Sequence, residues 1–156
     1  MDWLGSAKGY TAPFLDNPEF QLALARAVIM ADKNSRSVSM IGERDNGRVW
    51  LYSGCSSYAP VYPSVRGEVR GDFVEPVPAQ VSRSWKAAID WTDLEPVLGC
   101  WPLTVWWKDD KSQLIFEPAG REWRYVVMPM RAEAEWEKVQ KNIESYKAEF
   151  QLEVRP

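Results

Sequence analysis

Residues 125–131 read YVVMPMR. Tyr125, Val126 and Val127 have the aromatic and β-branched character of a strand. Pro129 cannot continue a paired ladder, because it has no N–H to give. Met128 and Met130 bracket it with two flexible thioethers, side chains suited to a deformable apolar surface. The chain then changes character at once: residues 132–147, AEAEWEKVQKNIESYK, are charged and helical in pattern. A strand that ends this way is either a last core strand or one wall of a binding surface. On the residues alone, the core strand with Met128 and Met130 buried is the simpler reading.

Downstream, Trp136, Val139, Ile143, Tyr146 and Phe150 recur at a 3–4–3–4 spacing, which makes a narrow apolar seam on a helix of about five turns. Glu137 and Lys141 stand at i, i+4 in the favourable order. Such a helix either lies on its own domain or pairs with another subunit or partner.

Upstream, LTVWW (103–107), QLIFEP (113–118) and EWRYVVMP (122–129) read as strands separated by the turns KDDKS and AGR. TDLEPVLG (92–99) reads as a short helix, with Thr92 and Glu95 at capping-box spacing and Gly99 closing it. QVSRSWKAAI (80–89) reads as a strand, and FVEPVPAQ (73–80) as a proline-rich connector. The first half has the same order. LDNPEFQLALARAVIMADKN (15–34) is the clearest helix, capped by Asn17 with Pro18 in its first turn. Phe20, Leu24, Ala27, Val28 and Ala31 form its apolar stripe. RSVSMIGE (36–43) and VWLYSG (49–54) are strands joined through Asn46-Gly47, a strong hairpin signal. SVRGEVRGDF (64–73) reads as a further strand, and TAPFL (11–15) as a faint one before the helix. Helix-then-strands, twice over, makes an α+β domain with an extra C-terminal helix.

Composition narrows the function. The length, 156 residues, suits one domain. There is no histidine, which removes His-based acid–base and nucleophile chemistry and most zinc sites. Cys55 and Cys100 are far apart and form no ligand motif, and no glycine-rich phosphate loop is present. Asp109 and Asp110 stand among lysines as a solvated turn. The sequence therefore points to no catalytic residues, no metal and no cofactor. A net charge of −3 argues against gripping nucleic acid by bulk charge, while leaving room for a local basic surface. No apolar run is long enough to span a bilayer, and the N-terminus lacks the plan of a signal peptide. The expected location is the cytoplasm.

The segment RYVVMPMR resembles the closing segment of the bacterial DNA polymerase III beta subunit, the sliding clamp. FQLALARAVIMADKNSRSV (20–38) is similar to the first helix and following strand of that subunit's C-terminal domain, with Ala25-Arg26-Ala27, Arg36 and Val38 as counterparts. DLEPVLGCWPLTVWW (93–107) would be the second helix and the next strand. The resemblance covers roughly residues 14–131 and implies a clamp-like domain over 1–131 with 132–156 as a helical extension; Gly42 to Trp85 match in element order only.

The resemblance implies a DNA-clamp-like domain of two helix-plus-strands halves, helices on one face of the sheets, and no enzymatic activity. It implies a ring, here built head to tail from on the order of six copies of this chain. Such a ring encircles double-stranded DNA without sequence preference and tethers DNA polymerase or other replication proteins by short linear motifs. Carried over by position, the peptide-binding cleft would include Val126, Val127, Met128, Pro129, Met130 and Arg131. Candidates to face DNA are Arg26, Lys33, Arg36, Arg83 and Lys86, with Arg66 and Arg70 further possibilities. The second helix, with Asp90, Asp93 and Glu95, departs from the basic pattern expected beside phosphates. A clamp-mimicking regulator that binds a host clamp or a clamp ligand without encircling DNA is the alternative. A third reading is an unrelated α+β binding module that uses its tryptophans, nine in all, for recognition; their strand positions make core their default place.

Overall fold

The computed structural model describes residues 9–14, 17–31, 37–53, 73–100, 102–130 and 133–150. Lys33, Arg36, Arg66, Arg70, Arg131 and Cys55 lie outside the described residues, as does all but Phe73 of the strand read over 64–73. The elements run α1 (Pro18–Met30), β1 (Ser37–Glu43), β2 (Arg48–Ser53), β3 (Phe73–Pro78), β4 (Trp85–Asp90), α2 (Trp91–Leu94) with a 3-10 turn (Glu95–Val97), β5 (Leu103–Trp106), β6 (Leu114–Pro118), β7 (Tyr125–Val127) and α3 (Glu133–Glu149). Sheet 1 has the order β3-β2-β1-β4 and sheet 2 the order β5-β6-β7. Every pairing is antiparallel, so the chain is an α+β domain.

The halves exchange their leading segments. β4, the first strand of the second half, pairs with β1 in sheet 1. The segment before α1 reaches to the other sheet, where Thr11 and Trp107 exchange backbone hydrogen bonds of 2.9 and 2.8 Å. The faint strand at TAPFL is thus reduced to bridges at Thr11 and Phe14.

Helix α1 begins where expected: Asn17 Oδ1 accepts from Phe20 N–H at 2.9 Å, and Pro18 opens the first turn. Phe20, Leu24, Ala27 and Val28 are buried against the sheets, and Ala23 joins them. Ser53 Oγ donates to Ala27 O at 2.8 Å, tying the helix to β2. The main core also takes Val38, Met40, Val49, Leu51, Ala87, Ile89 and the inward residues of sheet 2.

β2 is buried on both faces. Val49 and Leu51 turn toward α1, while Trp50 and Tyr52 turn outward into a second cluster with Val139 and Ile143 of α3. Sheet 1 is therefore sandwiched between α1 inside and α3 outside. Each fully buried aliphatic of that second cluster contributes roughly 1.5–3 kcal/mol of burial free energy.

Four sequence expectations change. FVEPVPAQ is no connector; its first six residues are strand β3. Prolines are tolerated there because β3 is the end strand of sheet 1. The strand read over 80–89 starts only at Trp85. The last strand is three residues long, Tyr125–Val127. The second helix is capped by Asp90 rather than by a Thr92–Glu95 box: Asp90 Oδ1 accepts from Thr92 N–H at 2.9 Å and from Thr92 Oγ at 2.8 Å.

Candidate peptide-docking seam

β7 closes one end of sheet 2, and β4 closes one end of sheet 1. The chain passes between them directly after Val127. Val127 is buried opposite Leu114, whereas Val126, its neighbour, is 52% exposed. Alternation along a strand requires this: one residue faces the core and the next faces out. Met128 then stands 59% exposed. Pro129 makes no backbone donation, and the next N–H, that of Met130, donates to Ala88 O in β4 at 2.7 Å. The segment leaves the ladder of one sheet and fastens to the other. What it leaves at the surface is Val126 and Met128, with Pro129 and Met130 half-buried. Met128 is not the buried core residue of the simpler reading. An exposed thioether beside a proline gives an apolar, adaptable contact. Trp123, 41% exposed, adds a large apolar side chain just before β7. The sequence reading passed over it, although a tryptophan between Glu122 and Arg124 was the available signal.

Among the described residues, the basic candidates Arg26, Arg83 and Lys86 do not form one row. The Arg26 guanidinium is engaged by both carboxylate oxygens of Glu75, with Nε donating to Oε1 at 2.8 Å. Such bidentate pairing spends the charge locally. Arg83 stacks over Trp107 at 4.7 Å and donates to Thr11 Oγ at 3.2 Å. Lys86 is opposite Ile41 and lies over the Trp136 ring at 5.0 Å, 4.0 Å from Asp110. It therefore stands on the α3 side of sheet 1, across the sheet from α1 and Arg26. The exposed side of α1 carries Leu22 (61%), Ile29 (80%) and Met30. Their spacing of i, i+7 and i+8 along the helix is a signal present in the sequence itself.

The seam of α3 packs on its own domain. Val139 and Ile143 are buried, Trp136 is half-buried, and Tyr146 meets Trp50 edge-on at 5.5 Å. Phe150 remains exposed, tilted against Tyr146 at 4.4 Å.

A groove of about 470 Å³ opens elsewhere, between the β1–β2 turn and the β5–β6 turn. Of its lining carboxylates, Glu43, Asp109 and Asp110 have partners. Glu43 pairs with Lys147, Asp109 accepts from Lys111 and Ser112 N–H at 2.9 and 2.7 Å, and Asp110 faces Lys86. Hydrogen bonds from Ser112 hold the Asp109 carboxyl below its ordinary value, as in a structural turn. Among the described residues no three His, Cys, Asp or Glu side chains are grouped to hold a metal, and no helix is long and apolar enough to cross a membrane.

The fold has solved counterparts. The DNA polymerase III beta subunit of Pseudomonas aeruginosa superimposes with a TM-score of 0.57 and 19% identity over 76% of this chain and 30% of that one. The Caulobacter crescentus beta sliding clamp gives a TM-score of 0.55 and 24% identity over 76% and 29%. The Thermotoga maritima beta subunit gives 0.53 and 24% over 72% and 28%. The chain spans about 30% of the length of these subunits. No family model and no curated protein matches the sequence. The fold is that of a beta sliding-clamp domain.

Proposed function

We propose that this chain is a single-domain sliding-clamp homologue of the DNA replication machinery, without enzymatic activity. It holds replication proteins by short apolar peptides docked at Val126, Met128, Pro129 and Met130, and it assembles with copies of itself into a ring around duplex DNA. The observation that carries the docking reading is the exposed Met128 beside a proline at the junction of two sheets, in the segment that resembles the clamp's closing motif. An apolar peptide laid there would cover Val126 and Met128 without disturbing the core, because Val127 alone of that strand's end is buried. Solution mass by light scattering across a concentration series tests the ring: a mass near six subunits supports it, and a monomer at all concentrations removes it.

One observation favours a second reading, a clamp-mimicking regulator that binds clamp ligands without encircling DNA. Arg26 is committed to Glu75, and α1 shows Leu22, Ile29 and Met30 outward. Binding to phosphates scales with the number of cations free to replace counterions. The first helix offers little of that. A monomer that binds clamp-ligand peptides but shows no salt-dependent affinity for duplex DNA would establish this second reading.

A further inference from the structure

Two sheet ends already carry contacts. β4 is fastened by Met130 N–H, and β5 is extended by the Thr11–Trp107 bridge. Among the described residues the other ends are β3 and β7. An assembly that continued the sheets from copy to copy would therefore set β7 of one chain against β3 of the next.

The β3 edge is badly suited to that. Ala79 N–H donates to Gly47 O at 3.0 Å, continuing the ladder with β2. This fixes the alternation. Phe73, Glu75 and Val77 turn their main-chain groups toward β2, while Val74, Pro76 and Pro78 turn theirs outward. Asn17 Nδ2 donates to Pro78 O at 3.0 Å from outside the ladder, as that alternation requires. The outward edge thus has a carbonyl at each of three residues, that of Pro78 already accepting from Asn17, but an N–H at Val74 alone. A strand arriving there would find two of its own carbonyls facing proline nitrogens that have no hydrogen. Both prolines fall on the outward parity, where they cost β3 nothing in its pairing with β2.

We propose that Pro76 and Pro78 close the β3 edge to strand addition, so that copies of this chain do not join β3 to β7 as one continuous sheet. Any ring of this chain is then held by side-chain contacts at this joint. The proposal goes beyond the function proposed above and does not depend on whether a ring forms.

Light scattering on the native chain, on Pro76→Thr/Pro78→Thr and on Val74→Pro tests it, with circular dichroism to confirm folding. If the native chain is a monomer, restoring the two N–H groups should tighten self-association on the order of thirtyfold, the worth of two ordinary hydrogen bonds. An unchanged mass in the folded double variant overturns the proposal; Pro78→Thr alone, at an exposed position, serves if the double variant does not fold. If the native chain is an assembly, Val74→Pro, which removes the last outward N–H, should leave its mass unchanged. Dissociation by that substitution overturns the proposal. A monomeric native chain with an associating double variant would sink the ring and leave the closed edge standing, so the two readings fail separately.

Discussion

Lys147 Nζ, in the last turn of α3, lies 3.0 Å from Glu43 Oε2 at the end of β1. The same carboxylate accepts from Trp50 Nε1 and, at 3.1 Å, from Asn46 Nδ2. Lys147 is only 8% exposed, unusual for a lysine, and sits over the Trp50 ring at 5.7 Å. The pair locks the C-terminal helix onto sheet 1 at the point where the Trp50 indole is fully buried beneath it.

Lys147→Met keeps the packing of the stem and removes the charge, which leaves Glu43 short of one partner. A charge-assisted hydrogen bond in a half-buried site is worth about 2 kcal/mol. Urea unfolding followed by tryptophan fluorescence should show a loss of that order. Glu43→Gln/Lys147→Met should cost less than the sum of the two single substitutions, because the partners act together. Additive losses would mean that the two residues act independently.

The same pair sets an acid limit on helix docking. Burial pushes the Glu43 carboxyl up, but hydrogen bonds from Trp50, Lys147 and Asn46, with the Lys147 charge, outweigh it and hold the group below its ordinary 4.5. A carboxyl depressed in the folded state stabilises above its unfolded value and loses that stabilisation as pH falls through the folded value. Stability should thus be flat in this respect above about pH 5 and decline below 4.5, and Glu43→Gln should flatten the decline. An acid limb unchanged in Glu43→Gln would assign it to other carboxylates.

Gly42 and Trp85 face each other across β1 and β4. The indole lies over the glycine so closely that an added Cβ would come within 2.0 Å of Trp85 Nε1. Trp85 also stacks on Phe14, at 5.3 Å and 3°, and Phe14 meets Phe20 of α1 edge-on. Sheet 1 and the leading segment therefore meet at one indole, and α1 joins them through Phe14. Gly42→Ala should cost about 3 kcal/mol through overpacking. Trp85→Leu in the same chain should recover part of that loss, since the clash needs both partners. Thermal unfolding of the three variants measures it, and a neutral Gly42→Ala would show that the indole can move aside.

Much of this arrangement was legible from residue order. The Asn17 cap, the α1 stripe, the Asn46-Gly47 hairpin and the 136–150 seam are local patterns, with a period or a turn that physics fixes within a few residues. Three features were not legible, each for a nonlocal reason. VWLYS reads as one strand, but burial on both faces depends on α3 arriving from far along the chain. FVEPVP looks like a linker, because Pro76 and Pro78 break a central strand and are harmless only at an edge with the right parity. The Arg26–Glu75 pair joins residues 49 apart, so Arg26 read as a free cation. The clamp-like closing segment suggested a surface, but the burial of Val127 follows from its place opposite Leu114 in sheet 2, and the course of the chain past Met128 from the Met130–Ala88 tie between the sheets.

That tie makes the docking surface testable without loss of fold. Met128 is 59% exposed, so Met128→Glu should change stability by less than about 0.5 kcal/mol. A carboxylate there would face an apolar ligand with an unpaired charge, a large penalty once water is excluded. Binding of a short peptide carrying leucine and phenylalanine anchors, followed by fluorescence anisotropy, should weaken at least about tenfold. Val127→Asp, at a 3% exposed position, should instead unfold the domain, and Phe150→Glu, exposed on α3, should leave binding unchanged. If Met128→Glu folds and binds the peptide as the native chain does, ligands dock elsewhere. Weakening by Phe150→Glu in its place would assign that role to the end of α3.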